Sequence, residues 1–132
     1  MENEAKQPSG SKAMFYTGWV ISILIGLAMI ASGVVKFLPP MNAEAEQGLQ
    51  HIGWRADQLG TLGILEIASA ILYLIPQTAV IGAILITGYM GGAIATHLRV
   101  GDPVLVQAII PILAWLGLWL RDGRLREILP LR

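Results

Sequence analysis

Apolar positions along this chain gather into four long runs separated by short polar breaks. The first runs from Phe15 to Leu38, about 24 residues. The others run from Leu59 to Ile75, Ala79 to Leu98 and Val104 to Leu120. A helix needs about 20 apolar residues to cross the hydrocarbon core of a bilayer. The pattern therefore predicts an all-α membrane protein, a bundle of four transmembrane helices over 15–38, 59–75, 79–98 and 104–120. The breaks carry stop and start signals. Pro39-Pro40 ends the first span. Asp57 is the expected N-cap of the second. Pro76-Gln77 is a tight turn, and Thr78 is placed to cap the third. Asp102-Pro103 reads as an N-cap followed by proline at the first helical position of the fourth. Pro111, inside that span, is expected to kink it and to free the carbonyl of Gln107.

The remaining segments are polar. Residues 1–13 read as a disordered tail, and 123–132 as a basic tail. Residues 41–57 alternate Glu44, Glu46, Gln50, His51 and Arg55 with Leu49, Ile52 and Trp54. That alternation suggests a short helix lying in the membrane interface on the outer side. A cleaved signal peptide is the competing reading of the first span, but its apolar run exceeds the usual h-region of about 7–15 residues.

Composition supports the membrane reading. Of 132 residues, 55% are hydrophobic and only 14% charged, against roughly 25% charged in soluble domains. A chain this short has too little interior to hide so much apolar surface from water. Nine basic and nine acidic residues cancel, which leaves no basic footprint for nucleic acid. The absence of cysteine excludes disulfides, thiolate metal sites and dithiol redox chemistry.

Four spans place both termini on one side. Lys6, Lys12, Arg121, Arg124, Arg126 and Arg132 lie there, against Lys36, Arg55 and Arg99 opposite. The positive-inside rule then puts both termini in the cytoplasm, with the spans in a bacterial inner membrane. Phe15, Tyr16, Trp19 and Trp119 would form the inner aromatic belt and Trp54 the outer.

Within lipid, small residues at four-residue spacing let helices approach closely. The first span offers Gly18, Ser22 and Gly26. The third offers Gly88, Gly92 and Thr96, flanked by Ala83, Thr87, Gly91 and Ala95. Each stripe is expected to meet a neighbouring helix.

Ionisable residues in a span are costly, so they face inward and pair. Glu66 lies seven residues into the second span, roughly 10 Å below the outer boundary. Lys36 and His97 stand in the last turns of the first and third spans, and Thr96, Arg99 and Gln107 share that layer. The natural pairs are Glu66 with Lys36, or Glu66 with protonated His97, in a polar pocket opening outward. Each also has a simpler reading: Lys36 snorkelling to the headgroups, His97 as an interface residue, and both with Glu66 as a fixed ion pair. A carboxylate, an imidazole and an ammonium could bind and protonate a quinone oxygen or another small polar head group. No ligand spacing supports a metal site from His51, His97 and Glu66. No nucleotide loop, nucleophile elbow or haem-attachment motif is present.

The stretch from Gly26 to Phe37, Gly-Leu-Ala-Met-Ile-Ala-Ser-Gly-Val-Val-Lys-Phe, resembles the end of the first helix in DoxX-like membrane proteins. Leu62-Gly63-Ile64-Leu65-Glu66-Ile67, followed by Leu74-Ile75-Pro76, is similar to their second helix. Ala95-Thr96-His97 resembles the end of the third, and His51-Ile52-Gly53 the first loop. The resemblance spans about residues 15–122 and implies a four-helix membrane bundle in which Lys36, Glu66 and His97 are marked positions. It also implies a membrane subunit or anchor in a quinone-linked redox complex. A non-enzymatic assembly factor or accessory subunit is the alternative, suited to the small-residue stripes and basic tail. Both expect a protein partner or a homo-oligomer in the membrane. A small proton-coupled transporter, suggested by size and one buried glutamate, ranks third, because the multidrug class carries its glutamate in the first helix.

Overall fold

A computed structural model describes residues 11–129. They form six α-helices, with no strand among the described residues: α1 Ser11–Val35, α2 Ala43–Ile52, α3 Ala56–Leu74, α4 Ala79–Arg99, α5 Leu105–Arg121 and α6 Gly123–Ile128. Three of them, α1, α3 and α4, are long and apolar enough to cross a membrane. The fourth, α5, has 17 residues, the short end of the spanning range of about 17–25. The chain is a helical membrane bundle.

Helix ends depart from the expected ones where side chains have other work. α1 begins at Ser11, so part of the expected 1–13 tail is helical; residues 1–10 lie outside those described. It ends at Val35, because Lys36, Phe37 and Leu38 tighten into three-residue turns before Pro39. α3 begins before Asp57, which is not its cap. Arg55 takes that position, its N–H donating to Gln58 Oε1, while Asp57 holds the Arg55 guanidinium at 3.0 and 3.1 Å. Thr78 does not cap α4 through its side chain. Its hydroxyl donates backwards to the carbonyls of Leu72 and Ile75, closing the α3–α4 turn. α5 starts at Leu105 rather than Pro103, and Asp102 makes its bonds outside the helix. The expected basic tail is partly folded: α6 is capped by Asp122, buries Leu125 and turns Arg126 back onto the carbonyls of Trp119 and Leu120. Residues 130–132 of that tail, with Arg132, lie outside the described residues, as does Lys6.

The four long helices form a ring in which α1 packs on α3 and α5, and α4 on α3 and α5. Ring neighbours run antiparallel, as short connections require. The centre is filled by Met29, Ala70, Tyr73, Ala83, Ile86, Ala114 and Leu118, all buried. Leu24, Ile64, Ile84 and Ile112, one from each long helix, are 56–63% exposed. A water-soluble protein does not turn such faces outward on every helix; acyl chains are their natural surroundings.

Glycines set the closest approaches. A Cβ on Gly63 would stand 2.7 Å from Gly33 O, and one on Gly33 3.1 Å from Gly63 O. These two glycines let the α1 and α3 backbones touch. On the stripe of α1, Gly18 meets Gly117 O and Arg121 N of α5, Gly26 meets Leu74, and Ser22 is buried. The stripe of α4 behaves differently. Gly88 and Gly92 have no atom within 4 Å of a Cβ position, so they pack on no other helix of this chain. Gly82, one face round, makes the close approach instead, against the Tyr73 backbone. The reason is register: the α3–α4 turn is so short that the helices must touch near it, and Gly82 is one turn away.

Gly63→Ala is expected to lower stability by about 1–3 kcal/mol through overpacking, read as a lower unfolding temperature in detergent. Gly88→Ala has open space to fill and is expected to stabilise its helix by roughly 0.5–1 kcal/mol. Equal effects of the two would contradict this packing.

Candidate functional site

The Gly33–Gly63 contact fixes what lies one turn away on each helix. Lys36 follows Gly33 by three residues and Glu66 follows Gly63 by three. Because the helices are antiparallel, the two Cα positions move apart by about 9 Å along the axis. The lysine stem spans that gap. Lys36 Nζ turns back along α1, donates to Ser32 Oγ at 3.0 Å and meets Glu66 Oε2 at 2.6 Å. The ammonium therefore points into the bundle, and the snorkelling reading does not hold. Tyr89 of α4 donates its hydroxyl to the same Oε2 at 3.1 Å. Glu66 is 2% exposed, and its Oε1 makes no hydrogen bond among the described residues.

This cluster is deeper than the sequence suggested. α3 starts at Ala56, so Glu66 lies about 15 Å along it, near its middle. Tyr89 is likewise central in α4. His97 is eight residues further along α4, about 12 Å nearer the outer end. It is not a partner of Glu66. His97 Nδ1 lies 3.2 Å from Asp102 Oδ2, and His51 Nε2 lies 2.8 Å from Asp102 Oδ1. Arg99 donates to Ile52 O at 2.7 Å, beside Gly53, whose φ of 83° ends α2. Two ties thus hold the C-terminal end of α2 against the α4–α5 loop.

Between these two polar layers is a cavity of about 1020 Å³. Its walls are mostly apolar, with Met29, Leu59, Leu62, Met90 and Ile110 among them, and Leu49 and Ile52 of α2 close over it. Lys36, Glu66, Thr96, His97 and Gln107 all line it; Arg99 does not. The Thr96 hydroxyl is spent on Gly92 O. Gln107 Oε1 is buried with no hydrogen-bond partner. Such an orphaned acceptor costs about 1–3 kcal/mol and marks a place where a donor from a ligand would be welcome. The described residues hold no cluster of three or more metal-ligating side chains.

Residues 20–120 match the DoxX-like family. The chain belongs to that family. No curated protein and no solved structure matches it. Reading this DoxX-like sequence alone missed Tyr89, although Tyr89, Ala93, Thr96 and His97 follow the i, i+4, i+7, i+8 spacing of a single helix face. It also missed Asp102 as the partner of both histidines, because an aspartate before a proline reads first as a cap.

A third polar layer lies at the end of the bundle that holds the start of α1 and the end of α5. Tyr73 donates to Ala114 O at 2.7 Å and is 2.9 Å from Ser22 Oγ. Arg121 of α5 donates to the Tyr73 carbonyl. The half of the bundle nearer the termini therefore contains its own buried ties.

The Asp102 carboxyl is held below the usual carboxylate range, chiefly by the hydrogen bond from His51 and then by that from His97. A carboxylate lowered in the folded state adds stability above its ordinary value near 3.9 and loses it as pH falls through the folded value. The tie on α2 is thus expected to persist from neutral pH to about 4 and to release in stronger acid. Amide exchange of α2, corrected for intrinsic rates, should accelerate there in the wild type. In Asp102→Asn it should be faster than wild type at neutral pH and lack the acid step, with only the Arg99 tie left. Unchanged exchange in that variant would show that α2 is held by other means.

Proposed function

We propose that this DoxX-like protein is a membrane subunit that binds a quinone-type amphipathic molecule, as part of a redox complex. The observation that carries this reading is the cavity itself. It is apolar and large, and among the described residues its deep polar wall is the Lys36–Glu66–Tyr89 cluster. A ligand with an apolar body and a small polar head fits that division. Lys36 Nζ, whose weakest contact is the Ser32 carbonyl at 3.4 Å, can turn one donor to a head-group oxygen, and the Tyr89 hydroxyl, which donates to Glu66, presents its oxygen as an acceptor. Gln107 Oε1 and Glu66 Oε1 offer acceptors, and Lys36 offsets the charge of the carboxylate. A bound quinone would supply exchange of two electrons and two protons with a partner; the chain's part is to hold it and exclude water.

The same reading places the protein in a bacterial inner membrane with cytoplasmic termini. The inward turn of Lys36 supports this, since it removes one of the three basic residues from the outer face and sharpens the positive-inside asymmetry. An accessory or assembly role is the second reading. It draws on Gly91, exposed, off the cavity lining and with nothing within 4 Å of a Cβ position, which suits close approach by a helix of a partner or of a second copy.

Quinone extracted from protein purified in mild detergent tests the first reading. Lys36→Met and Gln107→Leu are each expected to reduce retained quinone about tenfold, the value of one good hydrogen bond to a charged group or of an orphaned acceptor. Gln107→Leu is also expected to raise the stability of quinone-free protein, because it removes the orphaned acceptor. Wild-type retention in both variants would overturn the quinone reading and favour the accessory one.

A further inference from the structure

We infer that the termini end of the bundle carries a second binding site, for the headgroup of an anionic phospholipid. The site is a pocket of about 420 Å³ between the start of α1, the α3–α4 turn and the α5–α6 junction. Phe15, Trp19, Gln77, Leu118, Arg121 and Arg124 line it.

Arg121 is the reason to expect an anion. It is 8% exposed. Its guanidinium carbon lies 4.2 Å from the Trp19 ring centroid and 4.9 Å from that of Tyr73. The rings pre-set its orientation and partly offset its charge. A guanidinium has five donors, yet among the described residues this one makes a single hydrogen bond, to the Tyr73 carbonyl. Its Nε is buried without a partner, and no carboxylate pairs with it among the described residues. Asp122, the acidic residue in the lining, gives Oδ1 to the N–H of Arg124 as the cap of α6. A buried cation with unused donors is costly. A planar guanidinium fork matches the oxygens of a phosphate better than any other side chain does.

The pocket's place selects a lipid rather than a free ion. Arg121 ends a membrane span, at headgroup depth, and Trp19 is a residue of the interface. Leu118, one turn deeper along α5, floors the pocket on the apolar side, and Phe15, one turn nearer the start of α1, walls it on the headgroup side. Arg124, exposed at the rim, adds a second positive charge that an anionic headgroup would gain from and a choline headgroup would not.

Native mass spectrometry of the full chain, offered equal amounts of phosphatidylglycerol and phosphatidylcholine in detergent, tests this. The wild type should retain phosphatidylglycerol selectively. Arg124→Gln, an exposed change that spares the helix contacts, should reduce that retention about fivefold, as one basic residue near a membrane surface implies. Arg121→Lys should also reduce it, because charge without the planar fork is not enough. Equal retention of the two lipids, or unaltered retention in Arg124→Gln, would overturn the site. Displacement by millimolar inorganic phosphate would overturn the lipid assignment and make a free anion the occupant.

Discussion

A buried ion pair in the middle of a membrane bundle is the constraint on which the rest of this structure depends. Glu66 cannot stay charged in lipid without a partner at hydrogen-bond distance, and Lys36 Nζ is 2.6 Å away. The pair needs α1 and α3 in backbone contact, which Gly33 and Gly63 permit. It also needs the lysine to run inward, against its usual habit at a span end, and Ser32 guides it there. Tyr89 brings α4 to the same carboxylate. Three of the four long helices are therefore referenced to one oxygen atom.

That arrangement divides the bundle by depth. One polar layer at mid-membrane closes the bottom of a large apolar cavity, and a second, of His51, His97 and Asp102, stands at its mouth and anchors α2 over it. Below the ion pair, the helices are close-packed and tied by Tyr73, Ser22 and Arg121. A rigid lower half and a roomy upper half follow from where the large and small residues fall. α1 closes on α5 through Gly18 and Gly117, whereas α4 turns Gly88 and Gly92 toward the cavity and leaves it open.

The spans, their order and the need of Glu66 for a basic partner were legible in the sequence, because lipid punishes unpaired charge and broken helices so heavily that few alternatives survive. The choice of Lys36 over His97 was not, since Asp102 claims the histidine. Helix ends were less legible. Asp57, Thr78 and Asp102 all have the chemistry of caps, and each was claimed by a tertiary contact that local pattern does not contain. Glycine was the least informative signal. The stripes Gly18–Ser22–Gly26 and Gly88–Gly92 look alike as spacing, yet one is packed and the other open, since spacing says nothing about which face a neighbour occupies. Arg121 read as one more cytoplasmic charge. Its burial depends on Trp19 and Tyr73, from two other helices, and no one-dimensional pattern joins them.

The most direct measurement is a double-mutant cycle on the ion pair, reading unfolding free energy in mixed micelles for the wild type, Lys36→Met, Glu66→Leu and the double variant. Removing one member of a buried pair strands the other charge, so each single change is expected to cost about 3–5 kcal/mol. The double variant should recover most of that loss, because two apolar side chains of similar size need no partner. Additive losses would contradict a direct pairing of Lys36 with Glu66 and, with it, the placement of α1 against α3.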